Sequence, residues 1–301
     1  MVKDLISLAD FTADEILGLL DLADDLQARL KRNEAHRLLE GKTLAMIFEK
    51  PSLRTRVTFD IGMFQLGGHS VLVETQLGRR ETVPDVARNL DRWADGIMAR
   101  TFAHAHVLEL AENAEIPVIN ALTDLLHPCQ ILADTMALRA HKSADFGSLK
   151  VVFVGDGNNV FHSWANFAAR VPLNLSLVCP EGYEPDPGIV AAAKQDAKGV
   201  VEVTHDIERG LADADAVYTD VWASMGQEEE TAEREKVFAP FQVNQKLMGL
   251  AKADAVFMHC LPAHRGSEVT DEVMDSPRSI AFDQAENRLH AQKAVMATLM
   301  K

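Results

Sequence analysis

The 301-residue chain is long enough for two domains with a core each, and its composition (47% hydrophobic, 25% charged, 6% aromatic) excludes a disordered or low-complexity protein. A formal net charge of -15 and a pI near 5.1 argue against nucleic acid as a partner. Three scattered cysteines, Cys129, Cys179 and Cys260, exclude a disulfide framework or a zinc ribbon, and the chain has neither an apolar signal core nor a run of about 18 apolar residues; a reducing cytoplasm is expected.

In chain order, Thr12-Ala13-Asp14-Glu15 reads as the capping box of a first helix over residues 11–31, with Ile16, Leu19, Leu20, Leu22, Ala23 and Leu26 on its apolar face. Thr43 to Phe48 reads as a buried strand. The segment Glu49-Lys50-Pro51-Ser52-Leu53-Arg54-Thr55-Arg56 follows, opening a helix through Ile61, Met63, Phe64 and Leu66 that stops at Gly67-Gly68. A helix start carries unpaired N–H groups and the positive end of the dipole, and arginine forks and hydroxyls add donors for phosphate oxygens. A lone Arg-x-Arg reads best as a solvated basic cap; two arginines and two hydroxyls at a helix start favour a site for a small phosphate compound.

Further strands are expected at residues 70–73, 96–100 and 117–120, with helices over 83–93 and 107–114 between them. The polar stretch 75–81 reads as a mobile loop. His127-Pro128-Cys129-Gln130 leads into a helix over 131–141 that bridges to a second β-α series, with strands at 149–154, 175–178, 200–203, 216–220 and 255–260 and helices at 189–197, 206–211 and 244–251. The final helix covers 285–301. Such alternation predicts an α/β protein of two doubly wound parallel-sheet domains, with ligands beyond the carboxyl ends of the strands. Ser52 to Arg56, Arg100 and His127 fall at such ends in the first half; Asn158, Asn159, Asp220, His259 and Cys260 do so in the second.

Gly155-Asp156-Gly157 after a strand invites a dinucleotide reading, but Val160 stands where the last glycine belongs, so a tight turn is expected, with the asparagines tolerating unusual backbone angles. The histidine spacings, His104 with His106 and His259 with His264, lack zinc geometry, and no metal is expected. Cys260 fits a nucleophile, but a cysteine at a strand end is more often a small buried hydrophobe, and the residues alone leave it undecided. His127 alone reads as structural, whereas Arg100, a charge ending a buried strand, reads as functional.

Several motifs then fall together. Ser52-Leu53-Arg54-Thr55-Arg56 and His127-Pro128-Cys129-Gln130 resemble the Ser-x-Arg-Thr-Arg and His-Pro-x-Gln elements of the aspartate/ornithine carbamoyltransferase family. Asp220-Val221-Trp222-Ala223-Ser224-Met225-Gly226 and His259-Cys260-Leu261-Pro262 resemble two motifs of its ornithine branch, and Glu286-Asn287-Arg288 extends the likeness to the last helix. The resemblance implies transfer of a carbamoyl group from carbamoyl phosphate to ornithine, giving citrulline and phosphate, with arginine synthesis as the default direction and no cofactor.

It further implies a carbamoyl-phosphate domain over 1–138, completed by a C-terminal helix (285–301) packing back on it, an ornithine domain over 139–284, interdomain helices, and trimers or multiples of trimers with active sites between subunits. Ser52, Leu53, Arg54, Thr55, Arg100, His127 and Gln130 would hold carbamoyl phosphate, with Gln76 reaching a neighbouring subunit. Asn159, Asp220, Ser224 and the Met225 backbone would hold the α-amino and α-carboxylate groups of ornithine. Cys260 and Leu261 would lie by the side-chain amine and Arg288 near the carbamoyl group; the catalytic set is Arg54, Arg100, His127, Cys260 and Arg288. Leu53 departs from the family's usual threonine, and Arg80 is an uncertain match. Segment 220–226 is expected to close over ornithine. The rivals are a carbamoyltransferase for aspartate, putrescine or an acylated ornithine, a noncatalytic sensor or scaffold, and, distantly, a nicotinamide dehydrogenase.

Overall fold

The computed structural model describes residues 2–223 and 231–301. The chain divides into two compact units, Met1–Ala133 together with Glu286–Lys301, and Asp134–Ala285. Among the described residues each unit has one parallel sheet.

The first unit contains strands β1 (Thr43–Phe48), β2 (His69–Glu74), β3 (Gly96–Arg100) and β4 (Val118–Leu122), in the order β2-β1-β3-β4. β1, β3 and β4 are nearly continuous apolar runs because helices cover both faces of a parallel sheet. β2 lies at the edge and alternates between exposed and half-buried residues. One core cluster joins Ile47, Ile97, Ala99 and Val118 of the sheet to Val83, Ala87, Val107 and Leu110 of the helices Val83–Leu90 and His104–Asn113. The first helix, Ala13–Lys31, has the expected capping box: the Thr12 side chain accepts from the Glu15 N–H and Glu15 reaches back to the Thr12 N–H. The C-terminal helix, Ala281–Leu299, starts four residues before the sequence reading places it, and its later residues belong to this unit. There Gln27 donates to Glu286 and Asn287, and Lys293 to Gln65.

The second unit contains β5 (Lys150–Val154), β6 (Asn174–Val178), β7 (Val201–Thr204), β8 (Ala216–Thr219) and β9 (Val256–His259), in the order β7-β6-β5-β8-β9. Val152, Val154, Val178, Val217 and Phe257 point into a core with Leu211, Leu247 and Val273. Sequence periodicity missed the helices Asn159–Ala168 and Thr231–Phe238. The first is buried nearly all round, so no polar stripe marks its period.

Both sheets reverse strand order once, and ligands bind in the crevice at such a point. In the first sheet it lies between β1 and β3, where Phe48 pairs with Arg100. In the second it lies between β5 and β8, where Val154 pairs with Thr219.

Candidate active site

The segment after β1 enters the helix Leu53–Gln65 with Ser52 as N-cap in extended conformation, and the Ser52 hydroxyl makes no capping bond. The first-turn N–H groups and this hydroxyl therefore face whatever lies beyond the strand end. The two arginines part company, since residues two apart on a helix do not share a face. Arg54 bears on buried His127, whereas Arg56 is exposed and lines a cavity of about 310 Å³ with Pro51, Leu53, Val57, Leu72 and Glu74. Leu53 is 77% exposed beside that cavity. The helix does not carry the single apolar face expected of it. Phe59 and Met63 are buried, whereas Val57, Ile61 and Phe64 are exposed.

His127 immediately precedes the helix Pro128–His141 and is buried. Burial, then the guanidiniums of Arg288, Arg100 and Arg54, hold it well below the usual histidine range, so it is a neutral imidazole among three cations. Arg288, also buried, donates through Nη1 to Gln130 Oε1 at 2.7 Å and through Nη2 to Thr55 Oγ1 at 3.3 Å. The unit thus gathers Arg54, Thr55, Arg100, His127, Gln130 and Arg288, a concentration of positive charge suited to a dianion. Cys129 of the same motif is buried and donates to the Asn120 carbonyl, and burial pushes its thiol up to about 12. Gln76 stands apart, exposed and accepting from Arg79 at 3.0 Å.

Glu49, part of the segment read as a phosphate site, carries a role that the sequence did not assign it. One carboxylate oxygen accepts the Leu77 N–H and the other the Phe102 N–H, both at 2.8 Å. It ties the loop bearing Gln76 and the loop after Arg100 to the end of β1. Its place directly before the phosphate motif was the available signal.

In the second unit, Gly155 takes a positive φ of 142°, which a side chain resists. A Cβ on Gly157 would lie 2.3 Å from the Pro185 nitrogen. The two glycines thus answer to backbone geometry. Asn158 is not in an unusual conformation; it caps the helix Asn159–Ala168, accepting from the Val160 and Phe161 N–H groups. Its amide donates to Asp220 Oδ2 at 2.8 Å, while Asp220 Oδ1 accepts from Cys260 Sγ at 2.9 Å and the Val221 N–H at 2.8 Å. Burial, then the Asp220 charge, raise Cys260 well above the ordinary thiol value, so it is a neutral donor. Behind them, Tyr218 donates to Asp134 at 2.9 Å, and Gln284 donates to the same carboxylate at 2.7 Å.

Leu261 occupies the left-handed region at φ 59°, rare for a branched side chain, and precedes a cis peptide to Pro262. Its N–H donates to His259 Nδ1 at 2.8 Å, leaving Nε2 to donate to buried Glu268 at 3.2 Å. Asp220, His259 and Cys260 place potential metal ligands within 4.8 Å of one another, a cluster that spacing along the chain did not foresee. A cation there would compete with the His259 bonds that shape the Leu261 turn. Asn159 sits half-buried in the first turn of its helix. Ser224 and Met225 lie outside the described residues.

Residues 3–140 match the carbamoyl-P binding domain of aspartate/ornithine carbamoyltransferase, and residues 147–299 match its Asp/Orn binding domain. The chain is 53% identical over 304 residues to an ornithine carbamoyltransferase of Thermococcus kodakarensis, covering 99% of this chain and 96% of that protein. It shows the same identity and coverage with a protein of Pyrococcus furiosus named ornithine carbamoyltransferase, anabolic. A solved ornithine carbamoyltransferase from Pyrococcus furiosus superposes with a TM-score of 0.96 at 53% identity, covering 99% of this chain and 97% of that one.

Proposed function

The chain belongs to the aspartate/ornithine carbamoyltransferase family, and from that premise we propose that it is an ornithine carbamoyltransferase, making L-citrulline and phosphate from carbamoyl phosphate and L-ornithine in arginine biosynthesis. Relatives over half identical along the whole chain carry that name, one of them as the anabolic enzyme. The observation that carries the choice of acceptor is the Asp220–Cys260 contact beside the Leu261 turn. It joins a carboxylate for an amino group to a neutral thiol, and belongs to the two motifs that mark the ornithine branch.

The unit around 1–138 and the last helix binds carbamoyl phosphate, and 139–284 binds ornithine; the matched family domains support this division. Ser52, Leu53 (through its N–H), Arg54, Thr55, Arg100, His127 and Gln130 hold carbamoyl phosphate. Asn159, Asp220, Ser224 and Met225 hold the amino-acid end of ornithine, Ser224 and Met225 by motif alone. Cys260 and Leu261 flank the side-chain amine.

The neutral δ-amine attacks the carbamoyl carbon, a tetrahedral oxyanion forms, and as the carbonyl re-forms the bond from that carbon to the bridging oxygen breaks, its electron pair leaving on phosphate. The amine's proton departs to that phosphate. An alkylammonium of pKa about 10.4 cannot attack, so the reacting amine must be stripped of water and proton. Arg54, Arg100 and Arg288 stabilise the growing negative charge, and neutral His127 hydrogen-bonds the carbamoyl oxygen without adding a proton to titrate. Cys260 orients the amine as a thiol and is not a covalent nucleophile.

The active form is a homotrimer, or a multiple of it, in the cytoplasm, with Gln76 completing a neighbour's phosphate site. Leu53, Val57, Ile61 and Phe64, exposed along one helix beside edge strand β2, supply an apolar surface for such contacts. Among the described residues no helix is long and apolar enough to cross a membrane. The functional reading is tested by citrulline formation: the parent protein produces it and Arg54→Ala does not, whereas a parent making none would favour a binding or scaffold role.

A further inference from the structure

We propose that Arg234 is a positioning residue for the ornithine half-site: it joins the two loops that carry Asn158, Asn159 and Asp220. Arg234 lies in the helix Thr231–Phe238 and is buried. Its Nη1 donates to Asp156 Oδ2 at 2.8 Å and to the Trp222 carbonyl at 2.9 Å. Asp156 stands two residues before Asn158 on the loop after β5, and Trp222 two residues after Asp220 on the loop after β8. One guanidinium therefore reaches both loops at a single buried point, where the ion pair's side chains are 7% and 12% exposed.

The guanidinium is itself held. Its carbon lies 5.0 Å from the centroid of the Tyr183 ring, and the Tyr183 carbonyl accepts the Gly157 N–H at 3.0 Å. Phe238 packs edge-on against Tyr183 and stacks with Trp222. Both bonds leave the single nitrogen Nη1, so the feature a lysine lacks here is the planar guanidinium lying over the Tyr183 ring. The Asn158–Asp220 bond ties the same loops together nearer the strand ends. Two ties resist rotation of one loop against the other, which one alone does not. No sequence motif pointed to Arg234.

The proposal rests on the reading that this unit binds ornithine. It is tested by steady-state kinetics of the full-length protein with each substrate varied in turn, for the parent, Arg234→Lys and Tyr183→Leu. Arg234→Lys keeps a charge beside Asp156, which favours folding, and loses the planar guanidinium over Tyr183. Its KM for L-ornithine is expected to rise tenfold or more, with KM for carbamoyl phosphate within twofold of the parent. Tyr183→Leu, which removes the ring under Arg234 and its edge contact with Phe238 but keeps the Tyr183 carbonyl, raises KM for ornithine at least threefold with the same selectivity, and decides the matter if the lysine variant does not fold. Unchanged ornithine KM, or an equal rise in both KM values, overturns the proposal while leaving the activity assigned. A parent that makes no citrulline overturns the functional reading, and the positioning role with it.

Discussion

Leu53 is the one odd member of the phosphate motif, and its side chain is exposed. If Leu53 serves carbamoyl phosphate through its N–H, Leu53→Thr changes KM for carbamoyl phosphate by less than about threefold; a larger change would give the side chain a direct role. Arg54 behaves differently, because its charge lies among those bearing on His127. Removing one such donor lowers kcat on the order of 10²–10³-fold, so Arg54→Ala is expected to lose at least that much. Cys260 carries its proton well above the usual thiol range, so it does not supply the ionisation that activates the amine. Activity at subsaturating ornithine rises with pH because the free ammonium must lose a proton. That rising limb persists in Cys260→Ala; a flattened or displaced limb would mean that the thiol titrates in its place. Of these residues, the sequence displayed Arg54 and Cys260 through their motifs. The divergence of Arg56 from Arg54 and the fixed proton on Cys260 needed three-dimensional neighbours to be seen.

At the scale of elements, strands were the most legible because buried parallel strands are short apolar runs closed by polar or glycine signals. Gly96–Arg100 is bounded as expected, and Thr12–Glu15 caps its helix as expected. The helix after the phosphate motif was legible in extent but not in its buried face, since apolar residues occupy both sides of it. Asn158 was visible only as a polar residue at a strand end, though it caps one element and holds Asp220 on another. Asn158→Ala is therefore expected to lower stability by about 1–2 kcal/mol, as for a lost N-cap, and to raise KM for ornithine as well. Denaturant unfolding measures the first, and a variant with altered stability but parental KM would separate the cap from the site. The C-terminal helix offers a pH-dependent signature. Lys293 is fully buried, donating to Gln65 and paired with His36, and burial lowers it to about 8. A lysine bound less tightly to its proton in the folded state destabilises the fold below pH 8, and that penalty is relieved as pH rises toward its unfolded value near 10.4. The stability of the parent relative to Lys293→Met should thus increase between pH 8 and 10, by on the order of 2 kcal/mol at 1.4 kcal/mol per pKa unit. A flat difference would place the proton elsewhere.

For the whole molecule, two sheets each present a strand-order reversal, and the motif residues of each half gather at those two points. That was foreseeable from β-α alternation alone; the identity of the second substrate was not. If Gln76 serves a neighbouring subunit, mixing Gln76→Ala chains with Arg54→Ala chains should restore part of the activity that each lacks alone. Light scattering should then report at least three times the 33.1 kDa chain mass. The acceptor is the central claim, since the phosphate half-site is common to the family. The most direct test measures initial rates with carbamoyl phosphate and, in turn, L-ornithine, N-acetyl-L-ornithine, putrescine and L-aspartate, following both phosphate and the carbamoylated product. L-Ornithine is predicted to give citrulline with a kcat/KM at least a hundredfold above every other acceptor; a higher value for any of the other three would contradict the assignment.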